Sequence, residues 1–172
     1  VFTASEAIMK QLPIPYFSHV IRMVARNFII FLHNLIIFPI VCLLFKIAPT
    51  ATILLVIPGL ALLILNLLWI SLFLGIICTR YRDLTQIVSS LLQIAFYVTP
   101  IIWLPSLLPA KSSTMLLDPN PVYHLMQIVR CPLLNQPPTL LNWIVSIGMA
   151  VIGWLFTLMV FNRYRTRIAY WL

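Results

Sequence analysis

The chain has 172 residues, 62% of them hydrophobic and 8% charged, with a mean hydropathy of +1.06 and a formal net charge of +8. A soluble domain carries roughly 25% charged residues, so this composition excludes an ordinary soluble enzyme and defines an integral membrane protein. The Lys and Arg residues sit in short clusters between apolar runs, as membrane topology requires, and no basic run suits a nucleic-acid partner.

The sequence opens VFTASEAIMK, without Met or a signal peptide, and reads as the interior of a longer protein. Thr3-Ala4-Ser5-Glu6 fits a capping box, Glu6 and Lys10 form an i,i+4 pair, and Pro13 and Pro15 stop the helix. A short helix over about residues 4–12 therefore lies outside the bilayer core, within a mixed region at 1–24. Beyond it, Arg22 and Arg26 share one helix side.

A first span is predicted over 27–45, with His33, Asn34 and Pro39 inside it. Its polar groups need protein or water, and His33 is read as a hydrogen-bonding partner for another helix. A second span covers 52–78, with Pro58-Gly59 as a candidate kink and Asn66 as its one strongly polar residue.

The tetrad Arg80-Tyr81-Arg82-Asp83 follows, wedged between apolar runs, so it lies at a membrane surface. A third span runs over 84–103. Gln86, Ser89, Ser90 and Gln93 recur at i, i+3, i+4 and i+7, which puts them on one helical face, with Tyr97 one turn beyond. Thr99-Pro100 and an interfacial Trp103 close this span.

Residues 104–139 are rich in proline and cannot form one helix. Asn120-Pro121 is an N-cap followed by proline at the first helical position. The spacing predicts an amphipathic helix over 121–131, ended by Pro132. Val122, Leu125, Met126 and Val129 form its apolar stripe, with His124, Gln127 and Arg130 on the polar face. A second short helix is expected over 104–117. Broken helices of this kind survive at membrane depth only when buried in protein or lining a cavity, so the region reads as dipping back into the membrane. A fourth span covers 140–161. Gly148 and Gly153 are five apart and do not form a GxxxG dimer motif.

With four spans both ends share a side, which collects Lys10, Arg22, Arg26, Arg80, Arg82, Arg163, Arg165 and Arg167, against Lys46, Lys111 and Arg130 opposite. The excess places the ends and the tetrad in the cytoplasm and the Pro-rich stretch outside. Cys42, Cys78 and Cys131 read as packing residues, with a Cys42–Cys131 bridge as the alternative. There is no P-loop, HExxH, GxSxG or carboxylate pair, His19 reads as an interfacial residue, and no span centre holds an acid for ion coupling. The fold class is all-α: a single polytopic membrane domain over 1–172, suited to a transport channel energised elsewhere.

Leu74-Gly75, Thr79-Arg80-Tyr81-Arg82-Asp83-Leu84 and Val98-Thr99-Pro100-Ile101-Ile102-Trp103, followed by Asn120-Pro121-Val122-Tyr123-His124-Leu125 and Ile128-Val129-Arg130-Cys131-Pro132-Leu133-Leu134, resemble the membrane-spanning subunit of ABC-2 type exporters. The likeness is greatest to the branch that exports O-antigen, capsular and related polysaccharides. It implies that this chain covers the third to sixth of six spans. Glu6, Ile8, Met9 and Lys10 would then belong to a coupling helix on the ATPase. Arg80, Tyr81, Arg82 and Asp83 would form the cytoplasmic mouth, and Gln86, Ser89, Ser90, Gln93 and Tyr97 the conduit lining. Trp103, Tyr123, His124 and Arg130 would lie in the outer gate region.

The resemblance further implies a complex of two permeases and two ABC ATPases in the bacterial inner membrane, moving a lipid-linked polysaccharide. ATP and Mg would bind the partner, with no cofactor in this chain. An exporter of a smaller lipid or drug, and a membrane-embedded glycan-processing enzyme, are the alternatives.

Overall fold

A computed structural model describes residues 15–46, 48, 50–103 and 115–165. All regular structure among them is helical. Helix α1 is Tyr16–Leu35 and α2 is Ile37–Leu44. A 3-10 segment, Ala51–Leu55, leads into α3, Val56–Arg80. Then come α4, Leu84–Val98, α5, Pro121–Leu133, and α6, Leu140–Tyr164.

Three stretches are long and apolar enough to cross a membrane: Tyr16–Leu44, Ala51–Arg80 and Leu140–Tyr164. Each exceeds the about 20 residues that a 30 Å hydrocarbon layer needs. Over the expected third span, the regular helix is shorter than 84–103. Helix α4 has 15 residues and stops at Val98, because Pro100 has no N–H to continue the ladder.

Helices α3 and α6 pack side by side as the spine. Small and polar residues on α6, Asn142, Ser146, Ala150, Gly153 and Thr157, are buried. Small interfaces of this kind let membrane helices approach closely. A Cβ on Gly153 would run into the Trp69 ring, so the indole fills the space glycine leaves. Asn66 is fully buried. Its Nδ2 donates to the carbonyls of Leu62 (2.9 Å) and Ser146 (3.1 Å), and its Oδ1 accepts from Trp69 Nε1 (3.0 Å). Trp154 Nε1 adds a bond to the Leu65 carbonyl at 3.1 Å.

Two apolar clusters flank the spine. Val20 and Val24 of α1 meet Leu72 and Ile76 near one end. Val56 of α3 meets Leu125, Ile128 and Val129 of α5 near the other. At the first end Tyr16 lies edge-on to Phe161, with centroids 6.4 Å apart, and Arg80 lies 5.9 Å from the Tyr164 ring. The start of α1, the end of α3 and the end of α6 are thus together. Helix α4 runs back toward the end that holds α5, since the residues after it bond to α5.

Pro58-Gly59 does not kink α3. Pro58 sits in its first turn, where a missing N–H is tolerated, and Gly59 serves packing instead. A Cβ there would lie 2.6 Å from the Ile128 carbonyl oxygen. Pro132 cannot donate to that carbonyl, four residues before it, so the α5 backbone rests directly on Gly59.

Candidate functional site

The Pro-rich region is held by a clasp of polar side chains. Asn120 precedes Pro121 in an extended conformation (φ −85°, ψ 107°), and its Oδ1 caps α5 by accepting from the N–H groups of Val122 (3.0 Å) and Tyr123 (3.3 Å). The same side chain reaches α4: its Nδ2 donates to Thr99 Oγ1 at 3.0 Å. Arg130, near the other end of α5, donates from Nη1 to the Pro100 carbonyl at 2.7 Å. A charged donor makes this the stronger of the two ties. Trp103 Nε1 donates to the Tyr97 carbonyl at 3.0 Å and folds the following chain against α4.

His124 ties α5 to α6. Its ring is buried, with Nδ1 2.8 Å from Asn142 Oδ1 and Nε2 2.8 Å from the Asp118 carbonyl. A neutral imidazole donates from one nitrogen only. The ring is therefore held either as an imidazolium, or as a neutral ring with the Asn142 amide turned to offer its NH2. Tyr123 lies edge-on to His124, with centroids 5.5 Å apart. Asn135, just past α5 with φ 60°, accepts from the Thr50 N–H (2.9 Å) and donates to the Ala48 carbonyl (3.0 Å). One short helix is thereby fastened to four neighbouring segments.

The tetrad forms the tight turn between α3 and α4. Arg80 stacks over Tyr81 at 5.0 Å and lies near Tyr164, so its guanidinium faces aromatic rings. Arg82 and Asp83 are exposed, and Asp83 sits at the N-cap of α4 without a side-chain capping bond. Along α4, Gln86, Ser89, Ser90, Gln93 and Tyr97 are all exposed, and no residue of the helix is buried. Ser89 and Ser90 donate back to the Thr85 (2.9 Å) and Gln86 (3.1 Å) carbonyls. The outward donors of the stripe are then the Gln86 and Gln93 amides and the Tyr97 hydroxyl.

Several expectations are corrected. His124 is not on a polar face. The buried side of α5 is His124, Leu125, Ile128, Val129 and Pro132, while Val122 is 40% exposed. Satisfying both ring nitrogens lets the imidazole enter the core, which rotates the helix from the expected stripe. Pro132 does not end α5 but lies in its last turn. His19 is buried within the protein, and His33 is exposed on α1 rather than bonded to another helix.

Cys42, Cys78 and Cys131 are free thiols, so there is no Cys42–Cys131 bridge. Cys131 donates to Gln127 Oε1 at 3.2 Å, and burial pushes its thiol pKa up against the opposing pull of Arg130. Glu6, Ile8, Met9 and Lys10 lie outside the described residues, as does most of the helix expected over 104–117.

The roles of Asn142, Ser146 and Asn135 were not foreseen. The first two belong to a stripe of small and polar residues spaced by three or four along 142–157, a legible sign of a packed face. Asn135 takes the left-handed conformation that Asn tolerates better than most residues.

An all-helical bundle with three membrane-length helices, tied by buried polar bonds, defines a polytopic membrane protein. The chain belongs to the ABC-2 type transporter family, whose family model matches residues 1–134. Membership makes it a transport subunit of an ABC exporter, with ATP hydrolysis in a partner ATPase and a second permease copy implied. No curated protein and no solved structure matches the chain.

Proposed function

We propose that the chain is the permease subunit of an exporter for a lipid-linked polysaccharide, such as O-antigen, capsule or a related glycan. It works in a bacterial cytoplasmic membrane with both ends cytoplasmic. Four spans cross the bilayer, the third being α4 together with the residues up to Trp103, and residues 104–134 form an outer gate. Two permeases and two ATPases make the transporter, the ATPases bind ATP and Mg, and the region of Glu6, Ile8, Met9 and Lys10 docks on the ATPase. The polymer passes between the permeases.

The observation that carries this reading is α4 itself. A short apolar helix with no buried residue turns Gln86, Gln93 and Tyr97 outward on one side. Amides and a phenol pair with sugar hydroxyls, and an aromatic ring stacks on a sugar face, without the charges that would trap a neutral polymer. Arg82 is exposed beside Arg80 at the opposite end of the bundle from α5, and its planar fork suits a carrier phosphate.

The test is export of a lipid-linked glycan by the permease and ATPase reconstituted together in vesicles. Gln93→Leu with Tyr97→Ala lowers polymer export by about tenfold or more, the loss of two hydrogen-bonding groups at ~1 kcal/mol each, while basal ATPase activity persists. Unchanged export rules out the conduit. Transport of a short lipid with no response to the glycan supports the smaller-substrate alternative.

A further inference from the structure

A wide apolar cavity lies away from the clasp and from α4. It is a groove of about 930 Å³ between α2 and the start of α3, floored by Ile53, Val56 and Ile57, with Leu133 of α5 at its edge. A break in the first long helix creates it. Pro39 has no N–H for the Leu35 carbonyl, four residues earlier, and the Ile36 N–H instead bonds to the His33 carbonyl at 3.2 Å. The regular helix is interrupted at Ile36, and no residue of α2 is buried.

The groove walls are apolar, and the stretch that forms one side is of membrane-crossing character. Such a mouth suits lipid rather than water. One cation stands at the rim: Lys46, exposed, at the end of α2. Its backbone is left-handed (φ 53°), and its N–H closes the helix on the Leu43 carbonyl at 3.4 Å. The loop beyond it is held by the two Asn135 bonds to Ala48 and Thr50. Lys46 thus tops an apolar slot from a fixed loop. The other described cation at this end, Arg130, is spent on the Pro100 carbonyl.

We infer that this groove is a binding site for an anionic phospholipid, with an acyl chain along α2 and the phosphate at Lys46. The volume lies within the about 300–1,000 Å³ of ligand sites, and the pairing of an apolar slot with a single rim cation matches the two halves of such a lipid. A protein helix would fill the slot but would give Lys46 no anion. The assignment does not depend on the transported substrate or on which side of the membrane faces the cytoplasm.

The test uses the full chain with its ATPase partner in nanodiscs, and phosphatidylglycerol carrying a photoreactive diazirine in one acyl chain. Crosslinks are mapped by mass spectrometry. Wild-type protein is labelled in the 32–43 and 53–57 peptides, and unlabelled phosphatidylglycerol competes about fivefold better than phosphatidylcholine, the preference one interfacial lysine gives. Lys46→Gln removes that preference but keeps the labelling. Ile57→Trp, which crowds the slot from an exposed position, lowers the labelling with either competitor. Equal competition by both lipids in the wild type overturns the inference, because it means ordinary solvating lipid. No labelling, with ready oxidative crosslinking of Cys42 between copies, also overturns it, because a second chain then fills the groove.

Discussion

Asn120 carries two separable tasks, and they can be weighed against each other. Its Oδ1 caps α5 and its Nδ2 holds Thr99 after α4. Asn120→Ala loses a cap worth ~1 kcal/mol and a hydrogen bond worth ~0.5–1.5 kcal/mol, about 1.5–2.5 kcal/mol together. Opening of α5 then becomes about 10- to 70-fold more frequent, at 1.4 kcal/mol per tenfold. Thr99→Val loses only the second bond and raises opening about fivefold. Asn120→Asp keeps the cap, and its carboxylate can accept from the Thr99 hydroxyl, so it stays near wild type. Hydrogen exchange of the peptide over 115–133, in detergent or nanodiscs, reads all three. If Asn120→Asp opens α5 as much as Asn120→Ala does, capping is not what holds the helix. If Thr99→Val opens it as much as Asn120→Ala does, the cap contributes nothing.

The glycines differ sharply. Gly59→Ala and Gly153→Ala meet the Ile128 carbonyl and the Trp69 ring, and each lowers stability by about 1–3 kcal/mol in a thermal unfolding assay, whereas Gly148→Ala, with nothing within 4 Å of its Cβ, is neutral or mildly stabilising. Cys131 reacts with maleimide more slowly at pH 8 than it does in the unfolded chain, and its rate keeps rising beyond the pH at which an ordinary thiol levels off, because burial favours the protonated form. The linked stability is fully present below the ordinary thiol pKa and falls as pH climbs through the raised one.

The long helices α3 and α6 were legible in the sequence because length and apolar composition alone define them. So was the start of α5, since Asn-Pro carries its own capping chemistry. The face of α5 was not legible. A pattern of polar and apolar letters puts His124 outside, and only the Asn142 amide and the Asp118 carbonyl, one at each ring nitrogen, make its burial favourable. Asn66 announced a polar point inside a span, but its partner on α6 lies 80 residues away and left no local sign. At the end of α4 apolar composition continues through Trp103 while helical hydrogen bonding stops before Pro100, so composition alone does not mark where the helix ends. The interruption at Ile36 has its signal in Pro39, but the groove beside it depends on where the start of α3 comes to lie.

The distribution of these bonds bears on how such a permease can move. The α3–α6 pair is locked by Asn66, by the Trp69 ring on Gly153 and by Trp154, and α5 is fastened to that pair through His124 and Gly59. Helix α4 has no comparable packing along its length. It joins the body at the tetrad turn and again where Thr99 and Pro100 meet Asn120 and Arg130. Segments with few buried contacts open at lower free energy than the core they hang from. The helix that carries the Gln and Tyr stripe can therefore shift while the α3–α6 pair stays fixed, and the Asn120 and Arg130 bonds connect that shift to α5. Arg130→Met, which keeps the length of the side chain but removes its donors, leaves the α3–α6 pair intact and loosens the α4 end. Exchange in the 84–98 peptide rises while that in 56–80 does not; a rise in both would show that α4 is part of the rigid body after all.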